Sequence, residues 1–306
     1  MKKIIMSLIS ALALMMVANA QKPVVHILEY ESFNNVKVSD DFIVKLVSAD
    51  KYMVRTTVDG RIESYVKAYV QNGTLYISLD RKSFPSDLKK ALRVKGAPAP
   101  ILEVEISFPS LESMEMGGNS ILHRSDVIYS EYFKLTVNEK ARVDKIYVDC
   151  NTAEVILSKN AYADVETRAS EMLYVIASNS SKAVVKQAGK NLKIDAAGSS
   201  EVSAIAEVDH INVLTSSMSS VILSPGTADS MTVSAVGSSK IDAEAVSVSK
   251  ASMSQSGTSR CYVNVSDTLK VNLTGNSLLS FKEKPYIDVE RIVSSTLIKA
   301  DDPKRR

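Results

Sequence analysis

Asp144 and Asp164 are the residues whose types and spacing most directly suggest chemistry. They lie 20 residues apart. In a chain that folds in turns of that length they would sit on one outer face, about 5 Å from each other. Two carboxylates that close repel unless a cation sits between them. Such a pair would hold a calcium-like ion, or act as acid and base on a polysaccharide. The plainer reading is favoured: two solvated aspartates neutralised by Arg142, Lys145 or Arg168.

No other set of residues reads as a catalyst, and no catalytic residue is assigned. His26, His123 and His210 are scattered, with neither an HxH nor an HExxH spacing and no neighbouring cysteine, so no metal site is expected. Serine is abundant at glycine-rich corners, but a nucleophilic serine needs a fixed base and an oxyanion pocket. Turn chemistry explains those serines better. The glycines do not close a strand and open a helix, so no phosphate cradle and no cofactor is expected.

The elements that must position these residues come from a repeat. AVGSSKIDAEAV (235–246) is preceded by AAGSSEVSAIAEV (196–208) and followed by QSGTSRCYVNV (255–265). Aligned on the third residue of each corner, the anchors are Ser120, Ala141, Ala161, Ser181, Ser200, Ser219, Ser239, Ser259 and Ser277. Their spacings run from 18 to 21 residues, which marks a solenoid. Two residues after the anchors lie Val143, Ala163, Ala183, Val202, Val221, Ile241, Cys261 and Leu279. Six before them lie Met114, Leu135, Val155, Val175, Ile194, Val213, Val233, Met253 and Val271. The residues between are mostly polar, the period-two signature of strands with one dry face and one wet one.

Gly118, Gly198, Gly237, Gly257 and Gly275 stand two before their anchors, where a sharp corner requires a positive φ; Asn179 is the next best residue for the role. The serines Ser120, Ser200, Ser239, Ser259 and Ser277 then stack along the axis, with hydroxyls bonding to neighbouring backbone. Each unit offers two or three short strands joined by tight corners and no helix. The expected fold is all-β: a right-handed parallel β-helix with turns of about 20 residues and an N-terminal hairpin and cap region.

The repeat bears on the cysteines. Cys150 and Cys261 lie about 5.5 turns apart, roughly 26 Å at the strand spacing, whereas a disulfide needs Cα atoms within about 7 Å. Both are expected as free thiols, Cys261 at an inward position.

Residues 1–20 read as a signal peptide. Lys2 and Lys3 precede an apolar run from Ile4 to Val17, and Ala18-Asn19-Ala20 is a small-x-small cleavage pattern. Residues 21–306 read as a single β-helix domain, with no segment apolar enough to cross a membrane as a helix. Within it, 21–113 holds the first turns, a hairpin around Asn72-Gly73 and a cap insertion at 81–100; 114–285 holds the regular repeats. After Pro285 the pattern weakens, and 286–306 reads as a C-terminal cap and charged tail. The chain has 37 Lys and Arg against 35 Asp and Glu, which gives no pull toward nucleic acid. It has no Trp, so a tryptophan platform for sugars is excluded.

The segments FNNVKV…FIVKLV, GTLYISL and VEISFPSLESMEMGGNSIL, followed by recurring GSS units, resemble the "putative auto-transporter adhesin, head GIN domain" family. The resemblance covers most of residues 33–285. It implies an exported β-helical protein of Gram-negative bacteria and an adhesin-like role, and it carries no catalytic residues. Nothing in the chain resembles a C-terminal membrane barrel. The expected function is that of a non-enzymatic envelope or surface protein that presents a solenoid face to a glycan or protein partner. The alternatives are a polysaccharide lyase or hydrolase and a periplasmic structural protein. Export through the Sec pathway leaves periplasm, outer-membrane surface and exterior open.

Overall fold

A computed structural model describes residues 22–96 and 98–300. The segment read as a signal peptide, and the last six residues of the tail, lie outside the described residues. Among the described residues, strands make up 67%, wound into a β-solenoid of about nine turns, with a single α-helix.

Two interior columns hold the solenoid together, and the ladders join the residues that the repeat aligns. Val143, Ala163, Ala183, Val202, Val221, Ile241, Cys261 and Leu279 stack one on the next in parallel register. So do Met114, Leu135, Val155, Val175, Ile194, Val213, Val233, Met253 and Val271. All are buried. The strands of these two columns between the end turns are paired on both edges, so a turn satisfies its backbone through its neighbours.

The corners are built on left-handed residues. Gly118, Gly198, Gly237, Gly257 and Gly275 have φ between 67° and 81°. Glu139, Lys159, Asn179 and Ser217 take the same conformation at the corners without glycine. Gly257 shows why a side chain is unwelcome: a Cβ there would lie 2.6 Å from the carbonyl oxygen of Gly237 in the turn before.

The regular turns differ in one respect from the expected two or three short strands. Arg142–Leu157, Tyr162–Ala177 and Lys240–Gln255 are each one continuous strand of 16 residues, interrupted by one tight corner per turn. The other bends are made within the ladder by register shifts, such as those between Val143 and Ile146 and between Cys150 and Thr152. A bulge bends a strand without breaking it, so alternation alone reads such a bend as a break.

The first layers are stacked out of sequence order. Ile43–Ser48 lies between Leu102–Phe108 and Ile121–Ser125, parallel to both. Asn35–Val38 likewise lies between Thr74–Leu79 and Ser113–Met116. The outermost layer is therefore Thr74–Leu79 and Leu102–Phe108. The described residues of 81–100, with the helix Ser86–Arg93, stand there in place of a corner. Antiparallel strands close this end: Met53–Asp59 on Leu102–Phe108, Pro23–Glu29 on Met53–Asp59, and Val66–Gln71 on Thr74–Leu79 through the Asn72-Gly73 turn.

The ladder continues past Pro285. Tyr286–Val293 pairs in parallel with Arg260–Thr274, and Thr296–Lys299 with Leu278–Lys282. The pattern looks weak there because this turn is covered on one side only and carries an extra residue, Glu290, between Val289 and Arg291.

Candidate functional site

The two aspartates singled out by spacing stand on the outer face of neighbouring turns but do not face each other. Between the pairs Val143–Ala163 and Ile146–Val165, two residues, Asp144 and Lys145, oppose the single residue Asp164. This bulge sets the local electrostatics. Lys145 Nζ lies 2.9 Å from Asp164 Oδ1 and 3.3 Å from Glu166 Oε2. Lys186 Nζ reaches the other oxygen of Glu166 at 3.1 Å. Asp144 turns the other way, accepting from Arg142 Nε and meeting His123 Nδ1 at 3.1 Å.

The protonation states follow from these contacts. Partial burial pushes Asp144 up, but hydrogen bonds from Arg142 and His123 outweigh it, leaving the carboxyl below the usual range. Glu166 is held low chiefly by Lys186, against partial desolvation and with help from Lys145. Lys145 loses some hydration, yet Asp164 and Glu166 hold its ammonium firmly charged. All these carboxylates are thus ion-paired. Among the described residues, no three His, Cys, Asp or Glu side chains are grouped to hold a metal ion.

Aromatic side chains complete the face, and sequence reasoning passed over them by looking for Trp alone. Arg142 lies over the Tyr162 ring at 4.3 Å and Lys145 over Tyr147 at 5.5 Å. Beside them a cavity of about 150 Å³ is lined by Tyr129, Tyr147, Asp149, Glu166, Thr167 and Arg168, among others. Tyr129 is 64% exposed and Tyr147 39%. An exposed ring flanked by acids, an amide backbone and a guanidinium offers stacking and hydrogen bonding at one place. Period alone does not mark them, because Tyr147, Tyr162 and Tyr174 occupy the polar phase of their strands; the signal is residue type, a large apolar body in an outward position. Toward the cap, a second groove of about 460 Å³ runs past Lys45, Arg55, Glu103, Glu105, His123 and Arg124. His123 joins it to the Asp144 cluster.

The corner residues stand apart from this face. Ser200 and Ser219 donate to Ala177 and Ala196 carbonyls in the preceding turn, each at 3.0 Å. Ser120 donates to Gly117 at 2.9 Å, Ser239 accepts from Thr215 at 2.9 Å and Ser277 donates to Ser295 at 3.1 Å. Ser259 has no side-chain partner. None of these hydroxyls meets a histidine. Cys150 and Cys261 are both free and buried. Burial raises the Cys261 thiol to about 12, and burial with the nearby Asp149 charge raises Cys150 to about 11, so neither is a ready nucleophile.

The profile of the family described as "Putative auto-transporter adhesin, head GIN domain" matches residues 32–182 and again 163–285. Among solved structures, one described as a putative adhesin from Parabacteroides merdae ATCC 43184 is 17% identical. It covers 92% of this chain and 97% of that one, with a TM-score of 0.46. Another, described as a putative lipid binding protein from Parabacteroides distasonis ATCC 8503, is 16% identical over 92% and 97%, with a TM-score of 0.44. No curated protein matches the chain.

Proposed function

This chain belongs to the head GIN domain family of putative auto-transporter adhesins, and from that premise we propose that it is an exported, non-catalytic envelope or surface protein that binds a glycan or protein partner. The observation that carries the reading is the outer face around the Asp144–Lys145 bulge. There the exposed rings of Tyr129 and Tyr147 line one cavity with Asp149, Glu166 and Arg168, and Lys145, which lies over the Tyr147 ring, pairs with Asp164 and Glu166. Carboxylates that are already neutralised are poor general bases and poor cation ligands, but they hold their side chains in place as hydrogen-bond acceptors. Rigid aromatic rings with polar neighbours bind a partner at small entropic cost. Asp144 and Asp164 serve this face as fixed polar contacts. No helix of the described residues is long and apolar enough to cross a membrane.

The test is binding of the purified protein to arrays of bacterial and host glycans and to surface extracts. Tyr129→Ala with Tyr147→Ala is expected to abolish a signal that Tyr69→Ala, on the cap hairpin, leaves intact. A signal unaffected by the double change would remove this face from the account.

A further inference from the structure

The two ends of the solenoid are finished differently. At the N-terminal end, antiparallel strands cover the core, Tyr30, Tyr52, Tyr65 and Val66 pack against it, and the open edge falls on the added strand Pro23–Glu29 rather than on a turn of the solenoid. At the other end, Tyr286–Val293 is paired on one edge only. Its Ile287, Val289 and Ile292 continue the interior column of Leu269, Val271 and Leu273. Those three are fully buried, whereas Val289 is 52% exposed and Ile292 39%. An open edge that also displays core side chains is a template for another chain.

The row of side chains on this edge is complementary to itself. Set antiparallel to a second copy with Val289 opposite Glu290, the strand places Ile287 opposite Ile292, Asp288 opposite Arg291 and Tyr286 opposite Val293. In a regular strand Ile287 and Ile292, an odd number of residues apart, would point to opposite faces. The extra residue at Glu290 corrects this: Ile287 and Ile292 both register with interior residues, and Asp288 and Arg291 both register with outward ones, Lys270 and Asn272. Glu290 is taken by Lys270 at 2.6 Å, while Arg291 has no carboxylate partner among the described residues. Residues 301–306, DDPKRR, bring charge rather than aliphatic surface.

We propose that two copies of this chain join end to end through Tyr286–Val293, about a two-fold axis passing between Val289 and Glu290. The two-fold makes every contact twice, so each dimer has two Asp288–Arg291 pairs and two Ile287–Ile292 contacts. The product is a solenoid of double length, with an N-terminal cap at each outer end and two copies of the tyrosine-bearing face.

Sedimentation equilibrium on the purified full chain tests this. The wild-type protein is expected to be dimeric. Asp288→Arg and Arg291→Asp each place like charges opposite one another and are expected to raise the dissociation constant roughly tenfold or more. Mixed in equal amounts, the two variants regain both charge pairs and are expected to form a heterodimer with near wild-type affinity. Recovery on mixing also shows that each variant is folded. A monomeric wild-type protein, a dimer indifferent to either change, or variants that fail to recover each other on mixing would overturn the proposal.

Discussion

Lys145 lies one turn from Asp164 and reaches it at 2.9 Å, because two residues of its own turn share the ladder position opposite that one aspartate. The bulge converts what spacing presents as two facing carboxylates into alternating charge. Lys145→Met is expected to cost up to about 1 kcal/mol, since the group is partly solvated, and the loss shrinks as salt is added. A double-mutant cycle with Asp164→Asn, followed by denaturant unfolding, measures the coupling.

Gly257 is held at φ 77° with the Gly237 carbonyl where its Cβ would stand. Gly257→Ala combines a left-handed alanine with a backbone contact and is expected to lose roughly 1–3 kcal/mol. Thermal unfolding should show it melting below the wild type. An unchanged midpoint would mean that the turns slide apart freely at this corner.

Gln255 is buried, and neither its amide nitrogen nor its oxygen has a partner. Replacing an unsatisfied buried amide with an apolar side chain of similar length removes the desolvation cost without opening a cavity. Gln255→Met is therefore expected to stabilise the fold by about 1–2 kcal/mol, read as a higher denaturant midpoint with unchanged slope.

Asp59 has a fully buried side chain gripped by the guanidinium of Arg61. Burial pushes its carboxyl up, but the hydrogen bonds and charge of Arg61 prevail and leave it lowered. A carboxyl whose folded pKa lies below its unfolded value of about 4 stabilises the protein fully above that pH and loses its contribution as pH falls through the folded value. Asp144, Glu154 and Glu166 shift in the same direction. Stability is thus expected to be flat through neutral pH and to fall below about pH 4, with a shallower fall in Asp59→Asn.

How much of this was legible in the sequence follows from what repeats. The interior columns, including Cys261 in its inward slot, recur at fixed offsets from the anchors, and each was readable because its neighbours had the same register. Glycine marked the left-handed corner in five turns. Glu139, Lys159 and Ser217 adopt that conformation without any compositional sign, and only their spacing placed them. The bulges were not legible. An extra residue such as Asp144 or Glu290 shifts the register of one pair of strands and leaves the mean period untouched, so the sequence offered Arg142 and Lys145 as neutralising partners without showing which aspartate each would meet. The out-of-order stacking of Ile43–Ser48 between Leu102–Phe108 and Ile121–Ser125 is a long-range pairing with no local signature. The tyrosine face was hidden for a different reason: outward aromatics obey the same alternation as any polar-phase residue.

Display of the tyrosine-bearing face outside the cell is read by trypsin on intact cells. The paired ladders protect most backbone, but the helix Ser86–Arg93 carries exposed Lys90 and Arg93 and half-buried Lys89 in the segment that replaces a corner. Cleavage there on intact cells, with a periplasmic marker left whole, is the expected result. Protection of that segment until the outer membrane is opened would contradict surface display and assign the tyrosine face to a partner in the periplasm.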